Sequence, residues 1–449
     1  MNRSMPRWMR LGSALAAACM AWPAMSRCLD EQAIESRIGT GVEVVPTESE
    51  STGPRMNIHQ LVREAVRRNQ GIGAAKLLAE AAEEDANEAR VANRPQANLG
   101  GTLGRSNTST PGYPDQSGNQ GRATLSLTMP LYDGGRINRL AEWRSQLAEA
   151  ARLGQLSAEE QIGLQTVSLV LERGRYRVQA QVYQQFSRKM SCLVQALETI
   201  VSADKGRASE LVQARKQQQQ AELARVQSVS ALKQIEVRLR RFVGDALPTD
   251  DAIPNGLLSL PELPALLDEA ERSSEIAQLA AQAEASERYA SAVVAGQRPQ
   301  VGVSVTGSKV KGVDNQSSYF AGVTFNIPLY NAGNDYSANA ARKRAEAARL
   351  QRAEALEARK FRMAEVYEQA AASFDRARRT VEVVRDSNQV RNFTLQQWQQ
   401  LGRRSLFDVM SAESEHYNLR IAYVNALYDG QQATAMMWSL GLGVLSRLQ

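Results

Sequence analysis

Residues 123–135 read ATLSLTMPLYDGG, and residues 321–333 read AGVTFNIPLYNAG. In both stretches apolar residues alternate with small or polar residues ahead of a Pro-Leu-Tyr turn. This period of two is typical of a β-strand with one apolar face. Strands at about 95–105 and 299–310 show the same alternation. The sequence therefore predicts two strand pairs, over 95–131 and 299–329.

The strand pairs belong to an internal repeat. Arg94-Pro95-Gln96 recurs as Arg298-Pro299-Gln300, and Gly206-Arg207-Ala208-Ser209 is echoed by Gly402-Arg403-Arg404-Ser405. Because the offset between copies drifts only from 204 to 196 residues, we predict an internally duplicated chain. The predicted segments are a first structural repeat (56–247), a Pro-rich linker (248–264), a second structural repeat (265–443) and a C-terminal tail (444–449).

Each repeat has the order helix, strand, strand, long helix, turn, helix. The helical segments are rich in Ala, Gln, Arg and Glu and carry thin apolar stripes, as in coiled coils. At about 1.5 Å per residue the two long helices would be about 100 Å long, so we expect a rod-like bundle. The predicted helices cover 57–93, 137–202, 209–243, 262–295, 335–400 and 405–440.

Strands of about ten residues with one apolar and one small, polar face are typical of a transmembrane barrel with an aqueous lumen. Tyr132 and Tyr330 suit a membrane–water interface. A soluble sheet packed on helices is the alternative, but the helices are too long and too polar to cover it. Because the smallest membrane barrels need about eight strands, closure requires further subunits. A dimer with eight strands and a trimer with twelve both satisfy this requirement.

The N-terminus has the pattern of a secretory signal peptide over residues 1–26, followed by an N-terminal extension over 27–55. A basic start, the apolar stretch 11–20 and small residues around Ala24 carry this prediction. Cys19 lies in an incomplete lipoprotein box. Cys28 and Cys192 would either pair in an oxidising periplasm or remain free thiols.

Several function classes find no support in the composition. The net charge is +6, but basic and acidic residues alternate along the helices, so no nucleic-acid partner is expected. With two histidines and no Cys/His cluster, no metal site is expected. Neither a phosphate-binding loop nor a catalytic triad stands out, so we predict no cofactor and no enzymatic activity.

Residues 402–412, GRRSLFDVMSA, resemble the Gly-x-x-Ser-x-x-Asp-Val-x-x-Ala signature of the TolC family of outer membrane factors. The resemblance extends over roughly 56–443, and its first-copy counterpart begins at Gly206. It implies an α+β membrane protein in the outer membrane: a homotrimer with a twelve-stranded β-barrel, four strands from each protomer. A long α-helical coiled-coil barrel would continue from it into the periplasm, and outer-membrane lipid would surround the strands.

The resemblance also implies a periplasmic gate of ionic and hydrogen-bonded links between inner helices. Position by position, the gate residues are Glu210, Gln399, Arg404 and Asp408. Gln399 stands where the family has Tyr, and Ser411 replaces a family Asp, so we expect a thinner acidic ring. The alternative is that these charges only stabilise helix starts.

Two turns are the expected contact tips for a periplasmic adaptor. Gly206 and Gly402 are expected to allow tight turns that a side chain would obstruct. The predicted tip residues are Lys205, Gly206, Arg207, Leu401, Gly402 and Arg403.

The favoured function is the passive exit duct of a type I protein secretion system, working with a periplasmic adaptor and an inner-membrane ABC transporter. The alternative is the outer-membrane component of a proton-driven drug or metal efflux pump. A third hypothesis, a periplasmic coiled-coil adaptor or scaffold, predicts no membrane-patterned strand pairs, whereas this chain has two.

Overall fold

A computed structural model describes residues 56–108, 111–112, 116–245, 247, 251–252, 255–312, 315–398 and 404–448. The predicted signal peptide, the N-terminal extension and Cys28 lie outside these ranges. So do four predicted site residues: Gln399, Leu401, Gly402 and Arg403.

The first repeat runs from a short strand to a long helical hairpin, with a 3₁₀ turn at Lys205–Arg207 between its last two helices. Its elements are β1 (Met56–Asn57), α1 (Ile58–Arg68), α2 (Gln70–Val91), β2 (Gln96–Thr108), β3 (Gln116–Tyr132), α3 (Arg136–Ala203) and α4 (Ala208–Val243).

The second repeat has the same order. A short strand and a 3₁₀ turn at Asn255–Leu258 precede it, and a short helix follows it. From the preceding strand to the following helix, the elements are β4 (Asp251–Ala252), α5 (Leu263–Glu271), α6 (Ser274–Ala295), β5 (Gln300–Lys311), β6 (Gln316–Asn326), α7 (Gly333–Gln396), α8 (Leu406–Leu440) and α9 (Val444–Arg447).

The four long strands form one antiparallel sheet in the order β2-β3-β5-β6. The register places Ala97, Leu127, Val305 and Ala321 side by side in one row across the sheet. The strand prediction is confirmed. The hairpin of the first repeat is longer than expected, because β2 reaches Thr108 and β3 begins at Gln116.

In both copies, the residue after the Pro-Leu-Tyr motif is a short polar residue that accepts hydrogen bonds from backbone N–H groups at or just before the start of the long helix. The carboxylate of Asp133 accepts hydrogen bonds from the backbone N–H groups of Gly135 and Ile137 at the start of α3. In the second copy, the side-chain oxygen of Asn331 accepts one from the N–H of Gly333, 2.9 Å away. Short polar side chains satisfy backbone donors that a helix start leaves unpaired, which explains their place in both copies.

The helices at the beginning of each repeat differ from the prediction. A single helix was expected over 57–93 and another over 262–295, but each is two helices, broken at Asn69 and at 272–273. Asn69, Gly71 and Gly73 all have low helix propensity, which accounts for the first break. At the second, the hydroxyl of Ser273 donates to the carbonyl of Ala270.

The chain divides into two compact units. The sheet unit consists of the described residues within 70–159 and 268–361, and the helical unit of those within 56–69, 160–267 and 362–449. No helix in the described part of the chain is both long enough and apolar enough to span a membrane.

The helical unit contains two apolar clusters. One surrounds Leu61, Leu171 and Trp438, and the other surrounds Phe186, Leu406 and Tyr417. The expected linker is part of the first, because Leu257 is fully buried there. The linker strand β4 also pairs in parallel with β1, which ties the linker to the start of the first repeat.

Candidate functional site

One face of the sheet is apolar and exposed. Leu103 is 92% exposed and Tyr319 is 89% exposed, and their strand neighbours on this face are also large apolar side chains in contact with solvent. A contiguous apolar surface of this kind marks a site of protein or membrane contact. Its large members are Leu99, Leu103, Leu125, Leu127, Met129, Val305, Tyr319, Val323 and Phe325.

The opposite face is small and polar. Across it, Ser126 pairs with Thr306, and the hydroxyls of Ser308 and Ser318 are hydrogen-bonded at 2.8 Å. Phe320, whose ring lies over Gly322, and the buried Val310 are apolar exceptions on this face. Apart from these two side chains, the face is suited to an aqueous lumen.

The two edge strands of the sheet are β2 and β6. Among the described residues, neither pairs with another strand along its outer side. An open edge beside an apolar, lipid-compatible face leaves backbone N–H and C=O groups unsatisfied. Such edges would be satisfied if they paired with strands of further subunits, as the sequence analysis expects.

The first predicted tip is an exposed 3₁₀ turn. Asp204 caps it by accepting a hydrogen bond from the N–H of Gly206, 2.9 Å away. The expected need for glycine at position 206 is wrong. Gly206 does not adopt a positive φ, and the nearest atom to an added Cβ is the flexible carboxylate oxygen of Asp204, at 3.1 Å. Lys205 and Arg207 flank Gly206 in this turn, and Lys205 is exposed.

The described gate residues find partners within their own helix starts. Arg207 pairs with Glu210 at 3.0 Å, and Arg404 lies 4.0 Å from Asp408. Asp408 also forms a reciprocal capping box with Ser405 at the start of α8. Among the described residues, Glu210 forms no ion pair with Arg404. Within one chain, this arrangement is the one expected if these charges only stabilise the starts of their helices.

The sequence interpretation missed a buried charge cluster in the helical unit, which we call the buried triad: Lys189 of α3, Arg391 of α7 and Glu413 of α8. Glu413 is 0% exposed, and its carboxylate lies 4.0 Å from the Lys189 ammonium and 3.6 Å from the Arg391 guanidinium. His416 is also buried nearby on α8. Buried charges are retained only where they are paired, so the triad links three helices by charge.

A signal for the triad exists in the sequence. Leu406, Val409, Met410 and Tyr417 are buried at helical spacing on α8, and Glu413 occupies a position in the same stripe. An acidic residue in an apolar stripe predicts a buried partner.

Ion pairs closer to the surface shift individual pKa values. The Arg225 guanidinium, hydrogen-bonded to Glu222, holds the pKa of that carboxyl below its ordinary value. Burial raises the pKa of the Tyr183 and Tyr423 phenols. In the described part of the chain, no group of three or more His, Cys, Asp or Glu is placed to hold a metal ion.

Known proteins share this fold and, over part of the chain, its sequence pattern. Residues 61–245 match the outer membrane efflux protein family. Members of that family are channels rather than enzymes, which confirms the prediction of no enzymatic activity. Among curated proteins, no significant match was found.

Three solved structures illustrate the likeness. CusC is 17% identical and has a TM-score of 0.78, with 88% of this chain and 96% of CusC covered. VceC from Vibrio cholerae is 18% identical (TM-score 0.74; 86% and 96% covered). The outer membrane channel MtrE from Neisseria gonorrhoeae, in its open state, is 15% identical (TM-score 0.72; 86% and 89% covered).

The likeness to these structures concerns the fold, and it confirms the predicted combination of long helices with a four-stranded antiparallel sheet. The predicted outer-membrane localisation agrees with the description of the matched family, whose members are outer membrane proteins. Residues 61–245 therefore carry the sequence pattern of the outer membrane efflux protein family, and the described chain shares the fold of the TolC-like channels of known structure.

Proposed function

We propose that three copies of this chain form an outer-membrane exit duct, closed by a twelve-stranded barrel, through which cargo passes without being chemically changed. The observation that carries the proposal is the four-stranded sheet with two open edges and one apolar face. In lipid, such edges are stable only when they pair, and β6 of one protomer is antiparallel to β2 of the next in a closed ring.

The duct would work in a tripartite system, with a periplasmic adaptor at the helix turns and an energy-supplying transporter in the inner membrane. The exposed turn at Lys205 supports an adaptor contact there. An open groove of about 800 Å³ between α4 and α8 lies beside the helix starts and offers a helical partner a second surface. Gln213, Gln217, Phe407 and Met410 are among the residues that line this groove.

The cargo of the duct is either secreted protein or small molecules such as drugs and metals. The incomplete lipoprotein box at Cys19 favours type I protein secretion, powered by an ABC transporter, because many efflux ducts are acylated. The family description names efflux, which favours small molecules carried by a proton-driven pump. Deleting the gene tests both: loss of a secreted protein from the medium indicates secretion, and increased sensitivity to drugs or metals indicates efflux.

The duct itself is tested in a planar lipid bilayer. Purified protein should run as a trimer in mild detergent and insert to give uniform single-channel conductance steps. Neutral Gln replacement of Arg122, which lies on the polar face, should change ion selectivity because that side chain would lie in the lumen. A monomeric protein that retains its strand content and conducts no ions would overturn the proposal.

A further inference from the structure

The hairpin ends of the strands carry basic residues on the apolar face, and these have no part in the duct as described. The helices join the sheet at the other end, near Gln96, Tyr132, Gln300 and Asn326. With the helical part in the periplasm, as the proposed duct requires, the hairpin ends of β2-β3 and β5-β6 point to the cell exterior.

Strand β5 shows where the apolar band ends. Val301, Val303 and Val305 point to the apolar face, Gly307 follows, and Lys309 and Lys311 continue the same alternation. From Val301 to Gly307 the strand rises about 20 Å, close to the height of about 25 Å of a membrane-facing apolar band. Lys309 therefore lies at the outer border of that band.

The neighbours of these lysines leave them accessible. Lys309 lies between Ala123 of β3 and Ser317 of β6, and Lys311 lies opposite Gly121. Both lysines are exposed. Residues two apart on one strand face are about 6.6 Å apart, so the two ammonium groups are able to reach a single anionic group.

Arg105 of β2 lies further along the same face. It is exposed and is paired in register with Asn119 of β3. Tyr319 of β6, which is paired with Gly307, lies at the same border. Basic and aromatic side chains at the rim of an apolar band are placed at the level of lipid headgroups.

These charges have no acidic partner within the sheet. The four strands contain Arg105, Arg122, Lys309 and Lys311 but neither Asp nor Glu. Among the described residues, no ion pair involves Arg105, Lys309 or Lys311, and the hairpin loops contribute only Asp115 and Asp314 to the sequence. A cation beside lipid is stabilised by an anion, and phosphate accepts charge-assisted hydrogen bonds from Lys and Arg.

We propose that Lys309 and Lys311, with Arg105 beside them, form a binding site for the phosphates of a phosphorylated glycolipid in the outer leaflet. The acyl chains of the lipid would cover the apolar face below. This inference rests on the proposed function, since it requires the apolar face to contact lipid. Each trimer would hold three such sites, which fix the depth of the barrel in the membrane.

The test measures how many lipid A molecules remain bound to the detergent-solubilised trimer, by native mass spectrometry. Intact lipid A is compared with dephosphorylated lipid A. The parent protein should retain the phosphorylated form several-fold better. The double variant K309Q/K311Q should lose that preference. The control R122Q removes one positive charge at the same height on the opposite face and should keep the preference. Inorganic phosphate at millimolar concentration should not displace the lipid.

Equal retention of both lipids by the parent, or an unchanged preference in K309Q/K311Q, overturns the proposal. An equal loss in R122Q overturns it too, since it would indicate a nonspecific charge effect, and displacement by inorganic phosphate would reassign the site to a free ion. If the proposed duct itself is wrong, the parent protein will form no trimer and show no conductance. If only the lipid site is wrong, every variant will still form conducting trimers.

Discussion

The carboxylate of Glu413 lies 3.6 Å from the guanidinium of Arg391, in a part of the helical unit where Glu413 has no exposure to solvent. Because Lys189 approaches the same carboxylate at 4.0 Å, one buried anion holds together two buried cations from two other helices. The buried triad is therefore a polar link between α3, α7 and α8 within an otherwise apolar cluster.

Replacing Glu413 with Gln should destabilise the protein strongly. Two buried cations would remain without their anion, a loss that costs about 3–5 kcal/mol for a broken buried pair. The matched control is Asp429→Asn, which breaks a more exposed ion pair with Arg175 and should cost about 0–1 kcal/mol. Thermal unfolding of the trimer, followed by circular dichroism, makes the comparison. Equal midpoints for the two variants would mean that the triad contributes no more than a surface pair.

Replacing Gly443 with Ala should also destabilise the helical unit. Gly443 has φ +107, and an added Cβ would clash with the carboxyl group of Glu160. That carboxylate accepts hydrogen bonds from the N–H groups of Val444 and Leu445 at the start of α9. Backbone strain and displacement of the capping carboxylate should together lower the free energy of unfolding, measured with urea, by about 1–3 kcal/mol.

The control for that variant is Gly73→Ala. Gly73 lies within α2, and an added Cβ meets no atom within 4 Å. This substitution should stabilise the protein by about 0.5–1 kcal/mol, because alanine favours the helix. If Gly443→Ala proved as harmless as Gly73→Ala, the close approach of Glu160 to position 443 would be wrong.

The gate prediction remains to be tested by conductance. If Arg404 and Asp408 hold the periplasmic end closed between protomers, Arg404→Ser should raise single-channel conductance several-fold. If Asp408 serves mainly in the capping box with Ser405, conductance should stay at the parent value. Arg379→Ser is the control, because Arg379 forms an exposed pair with Asp375 along α7. A rise in both variants would indicate a general effect of lost charge.

Stability should fall in acid through carboxylates such as Glu222. Its pKa is lowered in the folded protein by Arg225, so its contribution is present above the unfolded pKa of about 4.5. The contribution is lost as pH falls through the lower folded pKa. Because the pair is partly exposed, the effect should be small. Glu222→Gln should narrow the difference in unfolding midpoint between pH 7 and pH 3, and an unchanged difference would exclude this contribution.

The strands and the long helices were predictable because their patterns are local. Alternation around Leu125 and Phe325 defines each strand face, and the repeated Asp133 and Asn331 mark where the long helices begin. The buried triad was not predicted. Glu413 stands in an apolar stripe, but the cations that face it come from α3 and α7, and their approach depends on how distant helices pack.

The turn at Gly206 illustrates a second limit. A glycine between two helices suggests a left-handed conformation, yet the turn is stabilised by the Asp204 carboxylate and needs no positive φ. Composition indicates that a turn is present, whereas the turn type depends on which side chain satisfies the free N–H groups.

The trimeric barrel is the central claim, and cysteine cross-linking across its seam tests it most directly. Within one sheet, β2 and β6 are separated by two strands, a distance of about 14 Å at about 4.8 Å per strand, too far for a disulfide. Cys28 and Cys192 are first replaced by Ser. Three double-cysteine variants then combine a cysteine at Asn98 of β2 with one at Ser318, Gly322 or Asn326 of β6. The account predicts that at least one pair gives covalent trimers on oxidation in membranes, while each single cysteine gives none. Monomers throughout, in a protein that is inserted and folded, would contradict it.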